Sequence, residues 1–354
     1  MRCLAPRGLQ LPVGGARPTL VIFSVRMSGG GGCLPRDLWD GGPLLARNAT
    51  GHGLTSDTIG RLRLSCVVMG IASILIAITL GIWSGVRIEP DGIPPLAWLL
   101  AALLVASSMW SRKDGHNRVA DFFGTLGLVW LAGVSCGCIA MLGLRLQRPL
   151  GDGLFRSADR ALGIDAVAIV AWLVGLGQWI FSLMALAYGF TIPAMILSMA
   201  ALALMGKRLE AWRAAFTFIG SLLTIVVIAM LMPAKGMGLW TPPKLLARLP
   251  DNAMRYFWPN FDAFYAGADP VLRLDGIDGV VSFPSFHAVM GFITLAMWRH
   301  SRIAFPLALA WLVLMLLATF PYGGHYVVDI LGGLAVWAAW SGLSRRLEAR
   351  RVTR

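Results

Sequence analysis

Charge is what this chain has least of. Only 14% of its 354 residues are Asp, Glu, Lys or Arg, against the roughly 25% of an ordinary soluble domain. That shortage excludes a water-facing surface around most of the chain. Acidic residues are the scarcer sign: 18 stand against 31 Lys and Arg, for a formal net charge of +13. The basic excess forms no face interleaved with aromatics, so no nucleic-acid partner is expected. The five cysteines, Cys3, Cys33, Cys66, Cys136 and Cys138, are odd in number and show no disulfide framework. Cys136 and Cys138 lie inside an apolar run and read as small buried thiols rather than metal ligands. Residues 1–60 lack any long apolar run. The stretch 19–25 is too short for a signal-peptide core with its flanks. The segment is rich in Gly, Arg and Pro and is expected to be disordered, with Met27 as an alternative start.

Apolar residues are what the chain has most of. They make up 57% of the sequence, and the mean hydropathy is +0.69. Several apolar runs approach or exceed the ~20 residues that cross a bilayer as helix. Spans are predicted over about residues 64–86, 95–110, 122–144, 179–206, 214–232, 285–298, 303–320 and 325–343. Residues 161–178 are moderately apolar and fit either a ninth span or a helix lying in the interface. If they do not cross, the clusters Arg112/Lys113/Arg118, Lys207/Arg208/Arg213, Arg299/His300/Arg302 and the Arg-rich end all fall on one side of the membrane. The near-neutral stretch 234–282 falls on the other. The positive-inside rule then puts both termini in the cytoplasm. The predicted fold is an all-α polytopic membrane bundle of about eight helices. It divides into a basic segment expected to be disordered over 1–60, two extra helices over 61–119, a main membrane domain over 120–344 and a basic tail over 345–354.

Two of the five histidines open apolar helices. His287 lies in Ser282-Phe283-Pro284-Ser285-Phe286-His287, and His325 in Gly323-Gly324-His325-Tyr326-Val327-Val328-Asp329. Two predicted crossings separate them, so both entrances lie on the same membrane face whatever the absolute orientation. His325 and Asp329 are four residues apart, on one helical face. A carboxylate there fixes the imidazole tautomer and leaves the other ring nitrogen free to attack. Alone, the pair also reads as a helix cap. Pro284-Ser285 suits a helix start, whose amides favour an anion. Gly323-Gly324 offers a second close-approach backbone before another helix start. Tyr326, Trp240 and Trp258 read as interface-belt aromatics. His52, His116 and His300 read as solvent-facing. Lys235 is balanced between phosphate ligand and snorkelling lysine.

Together the two motifs resemble the type 2 phosphatidic acid phosphatase superfamily. Pro284-Ser285-Phe286-His287 matches its P-S-G-H motif, and His325 with Asp329 matches the second half of its S-R-x5-H-x3-D motif. The flanking strings, with Arg148-Pro149-Leu150 and Ala161-Leu162-Gly163-Ile164-Asp165, look most like bacterial members of its inositolphosphotransferase and inositol phosphorylceramide synthase branch. The resemblance covers about residues 120–343, a six-helix core. Ala318-Thr319 stands where Ser-Arg would be, and the K-x6-R-P motif is not intact. Arg255 or Arg273 are the candidates for the missing charge.

The resemblance implies an integral-membrane lipid phosphatase or phosphotransferase acting at the outer face of a bacterial inner membrane, needing neither metal nor cofactor. His325 is implied as the nucleophile on phosphorus, Asp329 as its orienting partner and His287 as general acid and then base. Ser285, Gly324 and Lys235 are implied as ligands of the phosphoryl oxygens. A membrane lipid phosphate is the implied substrate. Hydrolysis and transfer to an alcohol differ only in the acceptor. A transporter is disfavoured because the polar groups gather at one face rather than along a path. An inactive scaffold stays open because of the missing arginine.

Overall fold

The computed structural model describes residues 42–89, 98, 102, 104, 107, 117–251, 253–268, 271–274, 277 and 279–349. Thr50–Arg354 forms one compact unit and Met1–Ala49 another, and the fold and site lie in the former. Most of the expected span over 95–110, the Arg112/Lys113 cluster, His116, the Met27 start and most of the N-terminal segment fall outside the described residues.

The described elements are helical apart from one short strand pair, as the hydropathy pattern predicts. In chain order they are α1 (Gly42–Ser84), β1 (Arg87–Glu89), α2 (Asn117–Gly143), α3 (Asp152–Ala161), α4 (Ala166–Gly175), α5 (Gln178–Gly189) and α6 (Thr191–Leu204). They continue with α7 (Arg208–Leu231), α8 (Pro243–Leu246), α9 (Trp258–Ala266), β2 (Val271–Arg273), α10 (Phe286–Met297), α11 (Ala304–Ala318) and α12 (Val327–Ala349). β1 and β2 pair in parallel, with Arg87 opposite Val271 and Glu89 opposite Arg273. Arg273 is therefore part of this strand pair.

Among the described residues, four helices are long and apolar enough to cross a membrane: Ser56–Ser84, Asn117–Leu146, Arg208–Leu231 and Val327–Leu347. α5 and α6 make a fifth if counted as one span, with a bend of 47° between them. The sequence predicts one span there, over about 179–206. The helix instead breaks at Gly189–Phe190, where α5 ends and α6 restarts. α10 and α11 have 12 and 15 residues, about 18 and 22 Å of helix. Both are shorter than the ~30 Å hydrocarbon layer. They pack against each other across the short connection at residues 298–303: a Cβ at Gly291 would lie 2.4 Å from Met315 and 2.6 Å from Leu312. α4, at ten residues, is only about 15 Å long.

The main core gathers α2 and α7 with parts of α1, α6, α9 and α10. At one end of it the buried Asp121 on α2 accepts from the Trp212 indole at 2.8 Å and pairs with Arg208, both on α7. A second cluster joins Phe155 of α3, Val170 and Leu173 of α4, Phe181 and Met184 of α5, and Met237, Met254 and Tyr326. This second cluster includes Phe320 and Tyr326, which flank the Gly323–His325 turn in the chain.

Candidate active site

Two chain turns meet here, and each is tied to the other by backbone and side chain. The first runs from Ser282 to the start of α10. Ser285 takes an extended conformation (φ −67°, ψ 114°), and its hydroxyl accepts from the Ala288 amide, as a helix N-cap does. Its own amide donates to the Asp329 carbonyl at 2.8 Å. α12 can approach this turn because it carries glycine at the crossing. A Cβ at Gly333 would lie 2.4 Å from the Ser285 carbonyl oxygen, and one at Gly332 would lie 2.9 Å from the Phe283 ring. Gly333→Ala is therefore expected to push the Ser285 turn off α12. It should destabilise by about 1–3 kcal/mol, as overpacking does, and slow turnover together with a lower melting temperature. An unchanged melting temperature and unchanged turnover would contradict that packing.

The second turn is Gly323-Gly324-His325-Tyr326. A Cβ on Gly323 would sit 2.6 Å from His325 Cδ2, so the glycine backs directly onto the imidazole. Gly324 has φ +64°, and its carbonyl accepts from Met237 at 2.7 Å. Its amide donates to Phe320 at 3.1 Å, within the turn. The backbone donor expected to reach a phosphate is thus engaged locally.

His325 is 2% exposed. Nδ1 lies 3.1 Å from Asp329 Oδ2, and Nε2 lies 3.3 Å from the Ser285 hydroxyl. Asp329 is fully buried (0%), and the same Oδ2 also accepts from Ser282 Oγ at 2.8 Å and from the Tyr326 amide at 2.9 Å. A carboxylate set against Nδ1 orients the ring and suits the tautomer that leaves Nε2 unprotonated beside the Ser285 hydroxyl. His287, on the first turn of α10, stands across the cleft. The two imidazole centroids are 6.4 Å apart with planes at 62°. Tyr188 of α5 stacks on His287 at 4.0 Å and hydrogen-bonds to the Tyr256 side chain. Tyr322 stacks on Tyr188 at 6.0 Å, and its hydroxyl donates to the Phe181 carbonyl at 2.8 Å.

α3 holds the second turn from outside. Asp152 and Asp159 are seven residues apart, two turns along the same helical face. Asp152 accepts from the Lys235 and Gly236 amides at 3.0 and 2.7 Å and from the Tyr326 hydroxyl at 3.0 Å. Asp159 accepts from the Val327 and Val328 amides, both at 2.9 Å, and so caps α12 from another helix. Burial pushes both carboxyls above the usual carboxylate range, while their amide donors pull them back. The amides that open α12 are consequently filled by carboxylates of the chain itself. Among the described residues the first-turn amides of α10 are the better placed for an external anion. Asp159→Ala should cost about 1–2 kcal/mol, as loss of a helix cap does. Thermal melting in detergent checks it, and a melting temperature equal to the parent's would show that the cap contributes nothing.

The structure brings His325, Asp329, Ser285 and His287 together as the motifs predict. Lys235 is engaged elsewhere: its ammonium lies 2.6 Å from Asp262 Oδ1 and 4.9 Å from the Trp258 ring centroid. Arg255 is exposed and follows Met254, whose amide donates to the Tyr322 carbonyl at 3.2 Å, so its loop packs against the His325 turn. Tyr326 is not a belt aromatic. It is 1% exposed, takes the Trp240 indole donor at 2.8 Å and donates to Asp152. Trp240 carries Arg156 over its ring at 4.4 Å, and the Trp258 indole donates to the Lys235 carbonyl at 3.0 Å. Sequence reasoning missed Ser282, Asp152, Asp159 and the tyrosine wall. Scarcity was the available signal. The chain has five tyrosines, and Tyr188, Tyr256, Tyr322 and Tyr326 gather here.

A bundle of apolar helices that presents a buried His–Asp pair to a second histidine defines a membrane protein with a histidine-centred polar site. A family model of the PAP2 superfamily, the type 2 phosphatidic acid phosphatases, matches residues 154–343, more than half of the chain. The chain belongs to the PAP2 superfamily, which supports a lipid phosphoesterase of the phosphatase type. No curated protein and no solved structure matches it.

Proposed function

We propose that this protein cleaves a phosphoester or pyrophosphate of a membrane lipid through a phosphohistidine at His325. The observation that carries the reading is the oriented imidazole: Nδ1 lies against a buried carboxylate, Nε2 lies beside the Ser285 hydroxyl, and a second histidine ring stands 6.4 Å away between centroids. Nε2 attacks phosphorus, the bond to the leaving oxygen breaks, and His287 gives that oxygen its proton. Asp329 offsets the positive charge that develops on the imidazole. His287 then takes a proton from the acceptor, whose oxygen attacks phosphorus as the N–P bond breaks. With water as acceptor the product is inorganic phosphate. With an alcohol, as the likeness to the inositolphosphotransferase branch implies, it is a new phosphoester. The Ser285 hydroxyl and the first-turn amides of α10 stabilise the phosphoryl oxygens, with Arg255 as a candidate cation.

The charge pattern supports an extracytoplasmic site. Arg299, Arg302, Arg345 and Arg346 lie at the ends of the helices away from the histidines. The test is phosphate release by the purified, detergent-solubilised protein from a panel of lipid phosphates with EDTA present. Release would support the metal-independent hydrolase. Labelled headgroup transferred to an added alcohol, without free phosphate, would support the transferase. Neither product from any substrate would overturn the reading.

A further inference from the structure

The two imidazoles are held in different ways. His325 has Asp329 against Nδ1 and the Ser285 hydroxyl beside Nε2. Among the described residues the His287 ring makes no hydrogen bond, and its partners are other rings. Tyr188 lies over it with centroids 4.0 Å apart and planes at 16°. This is a stacked contact, which sets the orientation of one ring by the other.

Tyr188 is itself fixed by its neighbours. It is the penultimate residue of α5, next to Gly189, where the span bends by 47° into α6. Its side chain hydrogen-bonds to Tyr256. Its ring also stacks on Tyr322, at 6.0 Å between centroids. Tyr322 stands three residues before His325 in the chain, and its hydroxyl donates to the Phe181 carbonyl at 2.8 Å. Tyr188 thus ties the His287 ring both to α5 and to the turn that carries His325.

The kind of restraint matters for the chemistry. Proton transfer uses a ring nitrogen, in the plane of the imidazole. A hydrogen-bond partner would occupy one nitrogen and favour one tautomer. A group that first gives a proton and then takes one changes its protonation state in every turnover. A ring stacked on the face restrains the plane and leaves both nitrogens open in either state.

We propose that Tyr188 is the positioning residue of His287: its ring sets the imidazole plane for proton transfer to the leaving oxygen and from the acceptor. This role rests on the acid–base function of His287 in the proposed reaction.

Two measurements test it. The first compares turnover of a short-chain phosphatidic acid in detergent by Tyr188→Leu, Tyr188→Phe, His287→Gln and the Tyr188→Leu/His287→Gln double variant. Tyr188→Leu should lower kcat/KM by about tenfold or more, within the roughly 10²–10⁴-fold that a general acid supplies. Tyr188→Phe keeps the ring and should recover most of that loss. With His287 already replaced, Tyr188→Leu should add little, because residues that act as a unit are not additive. A full additional loss in the double variant would overturn the proposal. So would a Phe variant as impaired as Leu, which would put the effect in the Tyr256 hydrogen bond. Parental turnover by Tyr188→Leu beside an impaired His287→Gln would overturn it and leave the histidine reaction standing. An unimpaired His287→Gln would overturn the acid–base reading, and this role with it.

The second measurement needs no turnover. The chain has five histidines, so ring labelling with ¹³C gives a sparse carbon–proton NMR spectrum in which His287→Gln identifies the His287 signals. Tyr188→Leu removes the ring current above that imidazole and should shift those signals downfield, and Tyr188→Phe should not. His287 signals that stay in place in Tyr188→Leu would overturn the proposal whatever the activity.

Discussion

His325→Ala is expected to lower kcat/KM by about 10⁴-fold or more. The size follows from the proposed role: Nε2 is the atom proposed to accept the phosphoryl group, and His287 is proposed to serve the leaving oxygen instead. The fold should survive. The imidazole is enclosed by Gly323 and Ser285, but the turn that carries it is also held by the Gly324 carbonyl, the Tyr326 hydroxyl and the two amides on Asp159. Melting temperature should therefore change far less than activity. Rapid quenching of the parent with labelled lipid phosphate should trap a phosphoenzyme stable in base and labile in acid, absent from the variant. A variant that keeps turnover within about tenfold of the parent would remove His325 from the role of nucleophile.

Asp329→Asn should cost roughly 10²–10⁴-fold in kcat while the protein stays folded. The charge that offsets the imidazolium is lost. An asparagine NH₂ turned toward Nδ1 would also impose the wrong tautomer, as loss of the orienting carboxylate does in other histidine-centred sites. Asp329→Ala should add a structural penalty. Ser282 and the Tyr326 amide both donate to the same carboxylate oxygen, and a buried donor left without a partner costs about 1–3 kcal/mol. Comparing the two variants separates the roles. If Asn turns over like the parent while Ala merely melts earlier, Asp329 is a structural anchor and not an orienting residue.

Much of the architecture was legible because its signals are local. Charge scarcity and apolar runs announce membrane helices, and the H-x-x-x-D spacing places two side chains on one helical face without knowledge of any neighbour. The broken α5–α6 span was not legible. Gly189 is one small residue in an apolar run, and whether the helix bends there depends on what packs beside it. The bounds of α10 and α11 were legible: the expected runs 285–298 and 303–320 end within two residues of Phe286–Met297 and Ala304–Ala318.

The candidate site divides the same way. The sequence by itself determined the membrane class, the His325–Asp329 pairing, the Ser285 cap and the presence of His287 on the same face. These depend on helical periodicity and on counting crossings. Only the tertiary structure decided what faces what. It put the Lys235 ammonium on Asp262 rather than leaving it for the site. It filled the amides of α12 with Asp159 and buried Tyr326 against Asp152. It stacked Tyr188 on His287. Each is a contact between residues distant in the chain, chosen by which groups can satisfy buried hydrogen bonds and charges when the helices close, and no local spacing encodes that choice.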